Sequence, residues 1–172
     1  MAITNFVKRI QDVMRNDAGV NGDAQRIEQI VWTLFLKIYD AKEEEWELIN
    51  DDYVSIIPDE YKWRNWAVDN KDGQALTGDA LLDFVNNKLF PALKNLEVSE
   101  DTPMNQMMVR YAFEDANNYM KDGILLRQVI NIIDEIDLQS MRKDTHLAQS
   151  TSHSLRICRV LVIQASTTHR EL

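Results

Sequence analysis

At 172 residues the chain is long enough to bury a sizeable core without metals or disulfides. Its 28 Asp plus Glu against 19 Lys plus Arg give a net charge of -9, which excludes attraction of nucleic acid by bulk charge. No apolar run approaches the ~20 residues needed to cross a bilayer, the amino terminus is too polar for a signal peptide, and the one cysteine, Cys158, fits a cytoplasmic protein.

The first predicted element runs from Ile3 to Arg15, where Ile3, Phe6, Val7, Ile10, Val13 and Met14 form the apolar face of a short amphipathic helix. DAGVNGD, Asp17 to Asp23, supplies a turn and an N-cap. A long helix then covers Asp23 to Leu48. Ile27, Ile30, Val31, Leu34, Ile38 and Tyr39 make its stripe, and Trp32, Phe35 and Leu36 widen it until the middle third is apolar nearly all round. Other helices must therefore cover it on more than one side. Its acidic end, Glu43, Glu44, Glu45 and Glu47, reads as a solvated face ahead of a metal site, with Trp46 and Leu48 still on the apolar side.

Periodicity breaks from Asn50 to Thr77. Tyr61, Trp63 and Trp66 interleave there with Lys62, Arg64 and Lys71, a pattern that can stack on bases and contact phosphates. The simpler reading is that the aromatics pin a long connection to the core. Asp79 is expected to cap a helix reaching Leu96, which Pro91 should kink or restart. Thr102 and Pro103 look like N-cap and N1 of another helix whose methionines, Met104, Met107 and Met108, read as core filler, with a plastic partner surface as the alternative. After Asp122 and Gly123 a last helix carries Leu125, Val129, Ile132, Ile133 and Ile136 on one side. The fold class is thus all-α: a multi-helix bundle around a long central helix, followed by an irregular or short-strand C-terminal tail.

Residues 1 to 141 contain neither His nor Cys, which removes a Ser/His/Asp or Cys/His nucleophilic site and a conventional zinc site from the body of the chain. There is no glycine-rich phosphate loop and no paired-carboxylate motif of defined spacing. No catalytic, cofactor or metal residue is assigned. Charge clustering alone makes Lys8, Arg9, Arg15, Lys62 and Arg64 the candidates for DNA or partner contact.

The stretches FVKRIQDVMRNDAGVNGDAQRIEQIVWTLFLKIYDAKEEEWEL, YKWRNWA, LTGDALLDFVNNKLFPALKNL and VINIIDEIDL together resemble the amino-terminal helical domain of the modification subunit of type I restriction-modification systems. The resemblance spans about residues 3 to 138. It implies a subunit of an S-adenosylmethionine-dependent N6-adenine DNA methyltransferase. Such a subunit assembles with a DNA-specificity subunit, a second modification subunit, restriction subunits and DNA. In that family the helical domain helps enclose DNA and contacts partner subunits, while methyl transfer occurs in a following Rossmann-like domain. Neither that domain's cofactor loop nor its N-P-P-[FY] motif occurs here, so this chain alone is expected to be inactive. The alternative is a self-standing helical protein-interaction module. An independent DNA-binding regulator is disfavoured by charge and by the lack of a recognition helix.

Residues 142 to 172 differ from the 1 to 141 domain. They hold every His and Cys and no Gly, and carry five basic against two acidic residues, whereas the preceding part carries 14 basic and 26 acidic. Joining the third base of each codon to the first two bases of the next constrains this tail: Ile157-Cys158 yields only Leu or Met, and Gln164-Ala165 only Gly or Ser. Within those limits the tail can encode a string ending S-A-G-N…Y-T-P-R, which resembles the family's continuation toward the methyltransferase domain. A frameshift near Gln139 to Met141 is therefore expected, leaving His146, His153, His169 and Cys158 accidental. The run ICRVLVIQA, Ile157 to Ala165, is β-branched and apolar enough to form a strand or dock on the bundle. Sequencing the gene across these codons checks the reading frame: stop codons in the alternative frame, or no methyltransferase domain beyond it, sink the idea.

Overall fold

The computed structural model describes residues 3–69 and 73–138, all helix and connection. The C-terminal tail, and with it the strand expected near Ile157, lies outside the described residues. The elements are α1 (Ile3–Met14), α2 (Asp23–Ile49), a 3-10 turn (Asp59–Tyr61), α3 (Trp63–Trp66), α4 (Gly78–Asp83), a π-helical segment (Phe84–Leu89), α5 (Phe90–Lys94), α6 (Met104–Phe113) and α7 (Gly123–Asp134). No helix among the described residues is long and apolar enough to cross a membrane.

Two helices organise the core. α7 packs against α1, α4 and α2, while α2 also meets α3 and α1. Aromatic rings run along α2 and tie it sideways. Trp32 meets Phe90 of α5 edge-on at 5.1 Å, Phe35 meets Phe113 of α6 at 6.2 Å, and Tyr39 meets Trp46, which in turn meets Tyr53. Such pairs add to burial because ring edges and faces carry opposite partial charge. The aromatics after α2 serve the core, as the simpler reading expected. Trp63 and Trp66 are buried, and their ring N–H groups donate to Asp134 Oδ1 at 2.9 Å and to the Tyr61 carbonyl at 3.1 Å.

The buried face of α2 is rotated from the expected stripe. Ile27 is 44% exposed and Ile30, Val31 and Leu34 are half-buried, whereas Gln29, Trp32, Thr33, Leu36, Asp40 and Glu43 are fully covered. The cause is partner geometry. Gln29, Asp40 and Glu43 on this face each meet a hydrogen-bonding group from another segment, which periodicity of apolar residues cannot register. Leu48 and Ile49 point to solvent, and the acidic run is not uniformly solvated, since Glu43 is buried. On α6 the core is filled by Val109 and Phe113, with Met107 and Met108 half-buried and Met104 exposed, so its methionines are not simple filler.

α2 starts at Asp23 as expected, although Gly22 before it offers no side-chain cap, whereas two other starts shift by about a residue: α4 begins after Thr77, so that Asp79 lies inside the first turn, and α6 after Pro103. Thr102 instead uses its hydroxyl to accept from the Ser99 N–H at 2.9 Å. α7 does carry a cap: Asp122 accepts from the N–H groups of Ile124 and Leu125 at 2.8 and 3.0 Å. Pro91 lacks the N–H that an α-helix would bond back to Asn87. The chain meets this with a π-helical segment just upstream, in which the Phe90 N–H donates to the Val85 carbonyl, and α5 restarts with Pro91 in its first turn.

The starts of α4 and α7 touch backbone to backbone. A Cβ at Gly123 would lie 1.9 Å from the Gly78 carbonyl oxygen, and Gly78 itself holds φ 58°. Gly123→Ala is therefore expected to lower unfolding free energy by at least about 2 kcal/mol. Gly22→Ala, where a Cβ meets nothing within 4 Å, should cost less than about 1 kcal/mol, the scale of an N-cap preference. Urea unfolding followed by circular dichroism checks both, and equal midpoints would refute the contact.

Candidate functional site

The buried face of α2 carries Gln29, Thr33, Asp40 and Glu43, spaced so that all four stand on one line of the helix. Left unpaired in an apolar interior, each would cost about 1–3 kcal/mol. Three of them instead capture a separate connection. Gln29 Nε2 donates to Asn118 Oδ1 at 2.7 Å and its Oε1 accepts from the Tyr119 N–H at 3.1 Å, holding the α6–α7 loop. Asp40 accepts from the Arg64 N–H at 3.2 Å and from Arg64 Nε at 2.9 Å, holding α3. Glu43 accepts from the Tyr53 hydroxyl at 2.9 Å and from the Ser55 hydroxyl, holding the segment after α2. Thr33 returns its hydroxyl to the Gln29 carbonyl at 2.8 Å.

Two further buried charges do the same from other elements. Asp17 accepts from the N–H groups of Gly19, Lys121 and Asp122 at 2.7 to 3.1 Å, joining the α1–α2 turn to the start of α7. Arg127 donates to the carbonyls of Leu76 and Ala67, both at 2.7 Å, and so clamps the connection between α3 and α4; burial lowers its pKa.

The candidates Lys62 and Arg64 sit inside this framework. Arg64 pairs with Asp40 and bidentately with Glu47 at 2.9 and 3.2 Å, with Glu44 at 3.7 Å; Lys62, nearly buried, pairs with Glu47 at 3.1 Å and Asp59 at 2.8 Å. Two cations thus face four carboxylates, and the local potential is negative. Burial works against the charge on Lys62, but its hydrogen bonds to Asp59 and Glu47 prevail and raise its pKa.

The other three candidates lie on α1 or, for Arg15, just past its end. Arg9 reaches Glu135 beyond the end of α7 at 2.8 Å and Arg15 reaches Asp12 at 2.8 Å, both as exposed pairs, while Lys8 is exposed. The structure does not bring the five together into one patch. It adds cations that charge clustering missed: Lys88 on the π-helical segment and Lys94 on α5 stand in no ion pair among the described residues, with Lys94 6.0 Å over the Phe90 ring. Lys94 borders an open groove of about 440 Å3 lined by Asn86, Asn117 and Asn118. No group of three His, Cys, Asp or Glu among the described residues could hold a metal ion.

The sequence family described as the HsdM N-terminal domain matches residues 3–133. This chain belongs to that family. A methylase subunit of the type I restriction enzyme EcoEI from Escherichia coli is 55% identical to it over 143 residues, which cover 83% of this chain and 29% of that protein. A chain from a study of complex assembly and conformational transition in a type I R-M system shares 33% identity at a TM-score of 0.67, covering 90% of this chain and 30% of that one. A modification subunit of a putative type I restriction enzyme from Vibrio vulnificus YJ016 shares 27% identity at a TM-score of 0.69, over 98% of this chain and 34% of its own length. The HsdM N-terminal domain seen here thus spans about a third or less of each relative.

Within this HsdM domain the residues that sequence reasoning missed are the buried anchors Asp17, Gln29, Glu43 and Arg127. Their one legible signal was polar residues recurring at helical spacing inside an apolar helix, Gln29, Thr33, Asp40 and Glu43. Burial is the largest influence on Glu43 and raises its pKa, against the lowering effect of its Ser55 and Tyr53 hydrogen bonds; Tyr53 is pushed up to about 12 by burial and by Glu43. A carboxyl that binds its proton more tightly in the folded state loses stability as pH rises. That loss begins near the ordinary value of 4.5 and is complete above the raised folded value. Glu47, whose pKa is lowered chiefly by Arg64, acts with the opposite sign and loses its contribution as pH falls. Glu43→Gln should therefore unfold at higher temperature than the parent at pH 8, with the gap closing toward pH 4. A gap that does not change with pH would show that Glu43 is not the titrating group.

Proposed function

We propose that this domain serves a type I modification subunit, in which S-adenosylmethionine-dependent N6-adenine methylation takes place on a catalytic domain outside the residues described. The helical domain contributes by helping to enclose DNA and by contacting the DNA-specificity subunit, a second modification subunit and restriction subunits. The observation that carries this reading is the family match over residues 3–133 together with 55% identity to a type I methylase subunit. In this reading S-adenosylmethionine is bound by the remainder of such a subunit.

Electrostatics narrows which cations serve DNA. Freeing Arg64 would strand Asp40 as a buried carboxylate, a change that costs about 3 kcal/mol. Arg9 and Arg15 sit in exposed pairs that water and salt already weaken, so they can exchange a carboxylate for a phosphate at little cost. The α1 cations Lys8, Arg9 and Arg15, with Lys88 and Lys94 as a second group, are therefore the proposed phosphate contacts.

In an assembled complex built on a full-length modification subunit, K8E/R9E/R15E should weaken duplex binding at least about tenfold and shallow the dependence of log K on log salt by about 3. Arg64→Ala should lower the melting temperature instead. Unchanged DNA affinity in the α1 variant would remove this assignment. The alternative, a self-standing interaction module, is favoured if the chain fails to associate with the specificity subunit of a type I system on size-exclusion chromatography.

A further inference from the structure

A chain of side-chain amides runs from the core of the bundle to its surface. Gln29 on α2 is fully buried, Asn118 in the α6–α7 connection is half-buried, and Asn86 on the π-helical segment is exposed. Backbone N–H groups fix which way each amide points. The Tyr119 N–H donates to Gln29 Oε1 at 3.1 Å, so Gln29 gives its Nε2 to Asn118 Oδ1, at 2.7 Å. The Met120 N–H also donates to that Oδ1, at 3.3 Å, which leaves Asn118 Nδ2 to donate to Asn86 Oδ1 at 2.9 Å. With its oxygen taken, Asn86 has its Nδ2 hydrogens left to offer. Hydrogen bonds in such a series polarise one another, which makes the last N–H group a stronger donor than an isolated amide.

The chain of amides ends at the groove of about 440 Å3 that Asn86 and Asn118 line together with Asn95, Asn117, Phe90 and Lys94. The other amides of the groove are committed. Asn95 Nδ2 donates to the Pro91 carbonyl at 2.8 Å, Asn117 Nδ2 to the Asp115 carbonyl at 3.1 Å, and Asn118 Nδ2 to Asn86. Among the described residues Asn86 Nδ2 has no such acceptor, and Lys94 stands in no ion pair, its ammonium 6.0 Å over the Phe90 ring. No Asp or Glu is among the described residues that line the groove. Its uncommitted donors are thus a polarised amide and a cation, both of which seek an oxyanion.

Asn86 and Lys94 are eight residues apart, about 12 Å along a helix axis. A polymer that repeats its anionic group can meet both at once, a distance that a lone side-chain carboxylate spans poorly. We propose that this groove seats the sugar–phosphate backbone of one DNA strand, with the Asn86 amide donating to a phosphate oxygen and Lys94 supplying charge farther along the same strand. The inference rests on the DNA-enclosing reading of the preceding subsection. To that reading it adds an uncharged phosphate contact and makes buried Gln29 a positioning residue, which acts through Asn118. Contacts of this kind fix how a strand lies without reading its sequence.

Duplex binding by an assembled complex built on a full-length modification subunit that carries these residues tests it. N86A should weaken binding roughly tenfold and leave the slope of log K against log salt unchanged, because no charge is removed. K94Q should weaken binding and shallow that slope by about 1. Both variants should keep the melting temperature of the parent, since Asn86 is exposed, Asn118 retains the Met120 carbonyl and Lys94 leaves no ion partner behind. A duplex scanned with single neutral methylphosphonate linkages should show a position at which the N86A penalty disappears. Unchanged affinity in N86A, or a penalty that persists at every methylphosphonate position, overturns the groove; the DNA reading stands if K8E/R9E/R15E still weakens binding. If neither the α1 variant nor the groove variants change DNA affinity, both fall. Loss of subunit association in N86A at unchanged DNA affinity assigns the groove to a carboxylate of a partner protein and likewise overturns the proposal.

Discussion

The fold depends on keeping a row of polar side chains satisfied inside an apolar helix bundle. Gln29, Asp40 and Glu43 would each destabilise the domain if left without partners, and each is met by another segment: Asn118 and Tyr119, Arg64, and Tyr53 with Ser55, which hold one of the two Glu43 carboxylate oxygens. Hydrophobic burial drives collapse without choosing among ways to pack helices. The polar row does choose, because a sliding or rotation of α2 by one residue would strand several groups at once. Asp17 and Arg127 extend the same logic to the α1–α2 turn and the connection between α3 and α4. In this protein the polar interior specifies where the loops lie, and the apolar interior supplies the cohesion.

That division explains which parts were legible in the chain. The helices and their order follow from periodicity, and the burial of Trp63 and Trp66 follows from their size. The rotation of α2 does not, because a scan that scores Ile27 and Val31 as core and Gln29 and Glu43 as surface has no access to Asn118 or Ser55. Lys62 and Arg64 looked like an exposed basic cluster for a related reason. Their neutralising partners, Asp40 and Glu47, lie 15 to 24 residues upstream on another helix, beyond any local pattern. The start of α6 shifted because Pro103 stands at its N-cap position without a side-chain oxygen to announce it. Function was readable only through resemblance: residues 1–141 hold neither His nor Cys and no motif that names a reaction.

The distribution of charge has its own order. A net acidic domain retains most of its cations in pairs. Lys37 donates to the Asp134 carbonyl and to Asp134 Oδ1 at 3.0 Å, Lys42 pairs with Glu45, and Lys62 and Arg64 share Glu47. What remains at the surface is sorted. α1 and the π-helical segment expose Lys8 and Lys88, while the turn after α2 and the connection before α6 expose Asp51, Asp52, Glu100 and Asp101. A domain built to work among other macromolecules needs such sorting, since a uniformly acidic surface would repel nucleic acid and offer protein partners no register.

The π-helical segment at Phe84–Leu89 has an effect beyond accommodating Pro91. Leu81, Val85, Leu89 and Leu93 are all fully buried, at a strict spacing of four. On an α-helix a four-residue step overshoots a full turn by about 40°, so three such steps would carry Leu93 away from the core and toward water. The wider turn winds more slowly per residue and takes part of that excess back. The helix is in effect re-phased midway, so that a repeat of four, foreign to a regular α-helix, keeps one unbroken edge of leucine and valine pointed into the core. The number of residues in this segment, and not their identity alone, is thus part of what is encoded.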